Sequence, residues 1–119
     1  MSFKTKVLEI GSMVPAFEEE MLVVLFGTNA PSELKDISVI HDPEADFADG
    51  TIKEGTQLVM GGNTYTVTKV GNAANANFEE LGHLSIYFKD NDELLPGAIQ
   101  VEPSVFPQVE IGEEISFSN

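Results

Sequence analysis

The stretch QLVMGGNTYTVTKV, residues 57–70, decides the fold, because it has the pattern of two short β-strands joined by a tight turn. Gly61 and Gly62 can adopt the positive φ that such turns require at little cost. In the second half, Tyr65 and Val67 alternate with threonines, as expected for a strand with one buried face. The stretch therefore predicts a hairpin of strands over Gln57–Met60 and Thr64–Val70.

The rest of the chain repeats this pattern of short apolar runs separated by glycine, proline, asparagine and aspartate. Two short helices are also predicted. One is Pro31–Asp36 with Asn29 as its cap, and the other is Phe78–Leu81, ended by Gly82. Eight short strands with one or two helices predict a single all-β domain over residues 1–119, either a small barrel or a sandwich. The other six strands are predicted at Phe3–Ile10, Met21–Phe26, Ile37–His41, Leu84–Phe88, Ala98–Val101 and Ile115–Phe117.

The charge balance excludes several classes of function. The 119 residues include 20 acidic residues against six lysines and no arginine, which gives a net charge of −14. A field of this sign repels nucleic acids and anionic membranes, so we expect neither as a direct partner. The acidity serves either solubility or the attraction of a basic protein. No apolar run is long enough to span a bilayer and no export signal is evident, so we expect a cytoplasmic protein.

Common catalytic and cofactor motifs are missing from the sequence. There is no cysteine, and Gly61-Gly62 lacks the lysine and helix of a phosphate-binding loop. The acidic stretch Asp42–Gly55 does not have the spacing of a calcium-binding loop, so we expect an exposed loop. The sequence therefore predicts no cofactor and no metal site.

Two histidines, His41 and His83, are the remaining candidates for chemistry. The histidine side chain gains and loses a proton near neutral pH, and its neutral ring can carry a covalent phosphoryl group. His41 ends the run Ile37–His41, where a side chain can reach solvent while its backbone stays fixed, and His83 opens the run at Leu84. A structural role for either histidine remains the simpler interpretation of its position.

Four segments in this order resemble the glucitol/sorbitol-specific IIA component of the bacterial phosphotransferase system. They are VIH at residues 39–41, MGGNTYTVTKVG at 60–71, NFEELGH at 77–83 and the segment from Phe88 to Pro96-Gly97. The resemblance covers residues 21 to 117. It implies an all-β phosphocarrier that accepts a phosphoryl group from HPr and passes it to the IIB component, while the membrane-embedded IIC component moves the polyol.

The resemblance also implies roles for individual residues. The phosphorylated histidine of the family follows an apolar pair, which is the position of His41. A second histidine that follows shortly afterwards in the family is replaced here by Asp42-Pro43-Glu44, so His83 is a candidate for orienting the phosphoryl group. Without arginine, the donors to the phosphoryl oxygens are expected to be backbone N–H groups, the Ser38 hydroxyl, His83 or a cation of the partner. The Asp42 and Glu44 carboxylates are expected to point away from the reacting nitrogen.

A non-catalytic acidic β-domain that binds a sugar or a protein is the alternative function. The chain has no tryptophan and two tyrosines, and its eight phenylalanines are expected in the core, so it offers few aromatic platforms for sugar stacking.

Overall fold

Eight β-strands close into a barrel in the computed structural model, which describes residues 2–43 and 52–119. Around the barrel the order is β1-β3-β2-β6-β7-β5-β4-β8. All eight predicted strands are confirmed to within two residues at each end, and the barrel is the correct one of the two predicted architectures. The strands are β1 Ser2–Ile10, β2 Leu22–Phe26, β3 Ser38–Pro43, β4 Gln57–Met60, β5 Asn63–Val70, β6 Leu84–Tyr87, β7 Ala98–Glu102 and β8 Glu114–Ser118.

The predicted hairpin joins β4 to β5 through a turn of two glycines. Met60 pairs with Asn63, and the intervening Gly61 and Gly62 have φ of 60° and 79°. Neighbouring strands are antiparallel except for two parallel pairs, β2 with β3 and β6 with β7. Strand β8 pairs with both β1 and β4, so the end of the chain closes its own barrel.

The core fills the inside of the barrel with alternate residues of every strand. On β1 the inward residues are Phe3, Thr5 and Val7, and on β3 they are Val39 and His41. A second, smaller cluster lies on the outer face, where Phe26 and Ile40 pack with Ala30 under the connection from β2 to β3.

Three short helices pack against the strands in the part of the chain that the structure describes. Helix α1 spans Ser32–Lys35, begins after Pro31 and has no side-chain cap, so the prediction that Asn29 caps it is wrong. Helix α2 spans Ala74–Leu81, one turn longer than predicted, and ends at Gly82 as expected. A 3-10 helix over Val14–Glu20 was not predicted from the sequence.

Strand β8 provides a direct test of barrel closure. Ile115 is completely buried on β8, whereas Ile111, four residues earlier, is 67% exposed. We expect Ile115→Ala to lower the free energy of unfolding by about 2–5 kcal/mol, because it opens a cavity in the core. The matched variant Ile111→Ala should change it by less than about 0.5 kcal/mol. Urea unfolding of both variants measures the difference, and equal losses would contradict closure of the barrel by β8.

Candidate functional site

The His41 side chain points into the barrel and is completely buried. Alternation along β3 turns Val39 and His41 inward and Ile40 outward, so the ring lies under α2 and not at the surface. It stacks on Phe78 of α2 with ring centroids 5.4 Å apart. The expectation that His41 reaches solvent at the end of its strand is therefore wrong. The strand continues to Pro43, two residues beyond the predicted end, and α2 packs Phe78 against the inward face.

Both ring nitrogens of His41 have hydrogen-bond partners. Nε2 lies 2.8 Å from the backbone carbonyl oxygen of Gly82, and Nδ1 lies 2.6 Å from Oγ1 of Thr5. A carbonyl oxygen can only accept, so Nε2 donates and carries the proton of the neutral ring. Nδ1 then accepts from the Thr5 hydroxyl. The two contacts fix both the orientation and the tautomer of the ring.

The carbonyl of Gly82 is held in place by close backbone packing. Gly82 has φ of 66°, and a Cβ there would lie 2.8 Å from the nitrogen of Gly27 and 3.1 Å from Nε2 of His41. The Gly27 N–H donates to the carbonyl of Leu81 at 2.9 Å. The end of β2 and the end of α2 thus touch through their backbones, and a side chain at position 82 would displace either Gly27 or the His41 ring.

Burial lowers the pKa of His41 below its ordinary value of 6.5. Removal from water disfavours the charged ring, and this effect outweighs the hydrogen bond to Gly82 and the negative charge of Asp42, which both raise the pKa. His41 is therefore a neutral imidazole at pH 7.

His83 lies next to the same carbonyl but on the other face of the barrel wall. Its ring packs on Phe26 of the outer cluster, with centroids 4.6 Å apart. Its Nδ1 is buried and has no hydrogen-bond partner among the described residues. The structure thus brings the backbone before His83, but not its ring, to His41.

Ser38 and Asp42 also point away from the His41 ring. The Ser38 hydroxyl donates to the carbonyl of Leu34 at 2.7 Å and holds the end of α1. Three positions separate Ser38 from His41 on β3, so the two side chains lie on opposite faces. Asp42 is exposed and faces outward, as expected, and Glu44 lies outside the described residues.

Sequence reasoning missed three parts of this site: the Thr5 hydroxyl, the Gly82 carbonyl and the Phe78 ring. One signal could have found the first of them. In β1, the inward row Phe3, Thr5, Val7 places one hydroxyl among apolar side chains, and a buried hydroxyl needs a polar partner.

Other possible sites lie apart from the histidines. A cavity of about 620 Å³ opens between Ile52, Lys69 and Pro96, and neither histidine lines it. Within residues 2–43 and 52–119, no three histidine or acidic side chains are grouped as metal ligands would be. Most of the acidic stretch 42–55 lies outside these ranges. The helices of the described chain are all too short to cross a membrane.

Comparison with known proteins points to one family. The family model for the PTS system glucitol/sorbitol-specific IIA component matches residues 2–116. A protein of Escherichia coli (strain K12) named PTS system glucitol/sorbitol-specific EIIA component is 30% identical over 119 residues, covering 98% of this chain and 94% of the relative. A Shigella flexneri protein of the same name is 27% identical with the same coverage.

A solved structure has the same fold. The crystal structure of a PTS system IIA component from Enterococcus faecalis V583 superposes with a TM-score of 0.84. The two sequences are 32% identical, and the match covers 94% of this chain and 96% of the other.

The lowered pKa of His41 has a consequence for stability. The unfolded chain binds a proton at His41 near pH 6.5 and the folded chain only at lower pH. The contribution of neutral His41 to the free energy of unfolding is therefore complete well above pH 6.5 and is lost as the pH falls below it. The free energy then changes by at most about 1.4 kcal/mol per pH unit. We expect the stability difference between the wild type and His41→Gln to shrink between pH 7.5 and 5.5.

Urea unfolding at several pH values measures this difference. All other titrating groups are common to both proteins, so their effects cancel to first order. If the free energies of unfolding of the two proteins change in parallel with pH over this range, the result contradicts a neutral, buried His41.

Proposed function

We propose that this chain, which belongs to the glucitol/sorbitol-specific IIA family of the phosphotransferase system, carries a phosphoryl group on His41. It accepts the group from the phosphohistidine of HPr and passes it to the IIB component, and IIC moves the polyol. The chain is then a phosphotransferase component that acts only within a relay of several proteins. In this role the chain acts in the cytoplasm and reaches the membrane only through IIC.

The observation that carries the proposal is the state of the His41 ring. The ring is neutral at pH 7 and is oriented by two hydrogen bonds, 2.6 and 2.8 Å long. A neutral imidazole is nucleophilic at the nitrogen that carries no proton, and the bond between Nδ1 and Thr5 keeps the ring oriented for in-line transfer when Nε2 is released. Phosphoryl transfer requires positioning and charge stabilisation more than covalent assistance from the protein.

Transfer to a buried ring requires an opening step. The opening breaks the bond from Nε2 to the Gly82 carbonyl and the backbone bond from Gly27 to Leu81, and each contributes about 1 kcal/mol to stability. An opening that costs about 2–4 kcal/mol leaves about 0.1–3% of molecules open. Docking of the donor to the open form would shift this equilibrium further, because the donor binds only where the nitrogen is accessible.

Nε2 is the nitrogen that such an opening would expose. Thr5, the partner of Nδ1, is completely buried, whereas Gly82, the partner of Nε2, is half-buried and follows Leu81, which is 44% exposed. Movement of the 81–83 backbone would remove the carbonyl from Nε2 without unfolding a strand.

His83 stays in the proposal as a donor to the phosphoryl oxygens. Its Nδ1 has no partner among the described residues, and its backbone moves with Gly82. When the 81–83 segment shifts, the ring can turn from Phe26 toward the space that the carbonyl leaves. Ser38 has no role in the proposal, because its hydroxyl is engaged on the opposite face.

The acidic surface supports a basic protein partner. Glu79 and Glu80 are exposed on α2 directly before the segment that covers Nε2, and Asp42 is exposed beside His41. Carboxylates around a docking point speed the encounter with a cationic partner. Such a partner can also supply a guanidinium group, which this chain, with six lysines and no arginine, lacks.

Incubation with phosphoenolpyruvate, enzyme I and HPr tests the proposal. We expect a mass gain of one phosphoryl group in the wild type that is acid-labile and alkali-stable, as a phosphohistidine is. His41→Gln should lose it completely. His83→Gln should still gain it, at a rate about 10- to 100-fold lower, since a hydrogen bond to a charged group contributes about 1.5–3 kcal/mol.

The two variants control for each other because the chain has two histidines. Circular dichroism shows whether each variant keeps the barrel. Phosphorylation of a folded His41→Gln variant would overturn the assignment of His41. A folded wild type that gains no phosphoryl group would favour the alternative, an acidic β-domain in which His41 serves only the core.

A further inference from the structure

The Thr5 hydroxyl is a buried polar group in an apolar row. Thr5 lies on β1 between Phe3 and Val7, all three side chains point into the barrel, and Thr5 is completely buried. Burying a hydroxyl costs free energy unless it forms a hydrogen bond. Its Oγ1 lies 2.6 Å from Nδ1 of His41, 36 positions away in the chain. This contact accounts for a hydroxyl at a position where an apolar residue would otherwise fit the pattern.

The two partners of His41 differ in chemistry. The Gly82 carbonyl can only accept a hydrogen bond, whereas a threonine hydroxyl can donate or accept by rotation about its C–O bond. In the closed protein the Thr5 hydroxyl donates to Nδ1, because Nε2 carries the proton. A phosphoryl group on Nε2 reverses the requirement at Nδ1, which must then carry the ring proton. Of the two partners, Thr5 is the one that can satisfy both states.

We propose that Thr5 is the positioning residue of the phosphocarrier, which donates to Nδ1 of His41 before transfer and accepts from Nδ1–H afterwards. This inference rests on the proposed function. When the Gly82 carbonyl withdraws, water that enters the opening carries the ring proton from Nε2 to Nδ1, and the Thr5 hydroxyl rotates to accept it. The lone pair on Nε2 forms the new N–P bond while the N–P bond of the donor phosphohistidine breaks.

Protons and charge balance in this step. The donor ring keeps its own proton and takes the electron pair of the broken N–P bond, so it leaves as a neutral imidazole. His41 keeps its single ring proton, now on Nδ1. Water is the only proton carrier that the tautomer shift needs, no metal takes part, and Thr5 is the anchor of Nδ1 before and after transfer.

Two variants separate the hydroxyl from the shape of the side chain. Thr5→Val keeps the volume and removes the hydroxyl, and Thr5→Ser keeps the hydroxyl and removes the methyl group. If Thr5 orients the ring, Thr5→Val should lower the rate of phosphorylation by HPr about 100-fold, since a misplaced reacting group costs about that much. Thr5→Ser should stay within about threefold of the wild type. If Thr5 has a purely structural role, the loss of phosphorylation rate should instead follow the loss of stability in each variant, whether or not the hydroxyl is kept.

Nitrogen-15 NMR of the histidine rings provides a readout that does not depend on turnover. In the unphosphorylated wild type and Thr5→Ser, we expect Nε2 of His41 to be protonated and Nδ1 to show the shift of a hydrogen-bonded acceptor. In Thr5→Val, that shift at Nδ1 should be lost. In the phosphorylated wild type, Nδ1 should be protonated, with its proton protected from exchange by the bond to Thr5.

The outcomes distinguish this inference from the proposed function. If the wild type is never phosphorylated, the proposed function fails, whatever the NMR spectra show. If the wild type is phosphorylated and Thr5→Val is phosphorylated equally fast, the role of Thr5 is overturned. Should Thr5→Val fail to fold, the phosphorylated wild type decides alone, because an unprotonated or freely exchanging Nδ1 there contradicts the proposal.

Discussion

The hydrogen bond between Nε2 of His41 and the Gly82 carbonyl links the barrel wall to the end of α2, and the properties of the site depend on it. The bond assigns the ring proton to Nε2, makes Nδ1 an acceptor for Thr5 and closes the ring from solvent. It forms because Gly82 and Gly27 lack side chains where β2 and α2 meet. A residue with a Cβ at either position would separate the two backbones and move the carbonyl away from the ring.

Burial of His41 has opposing effects on the proposed phosphocarrier role. It lowers the pKa of His41 and so keeps the ring in its nucleophilic form at pH 7. In the proposed role, burial also blocks attack until the covering backbone moves. A relay protein needs to react with its partners and with nothing else in solution, and the proposed opening of the ring on docking would satisfy both needs.

Local sequence patterns were sufficient to predict the strands, the glycine hairpin and the end of α2 at Gly82. Alternation and glycine placement depend on a few neighbouring residues, so they can be recognised in a single sequence. The burial of His41 could not be found in this way, because its partners lie 36 and 41 positions away in the chain. The length of α2 was underestimated because Asn75 and Asn77 favour caps and turns over helix interiors. The 3-10 helix over Val14–Glu20 has no helical periodicity to detect.

The reactivity of the two histidines toward diethyl pyrocarbonate, followed by mass spectrometry of peptides, tests the closed His41 ring most directly. The reagent modifies accessible neutral imidazole nitrogens. In the folded protein His83, which is partly exposed, should react at least about tenfold faster than His41, and in urea the two should react at similar rates. If His41 reacts as fast as His83 in the folded protein, the ring is not held between Thr5 and Gly82.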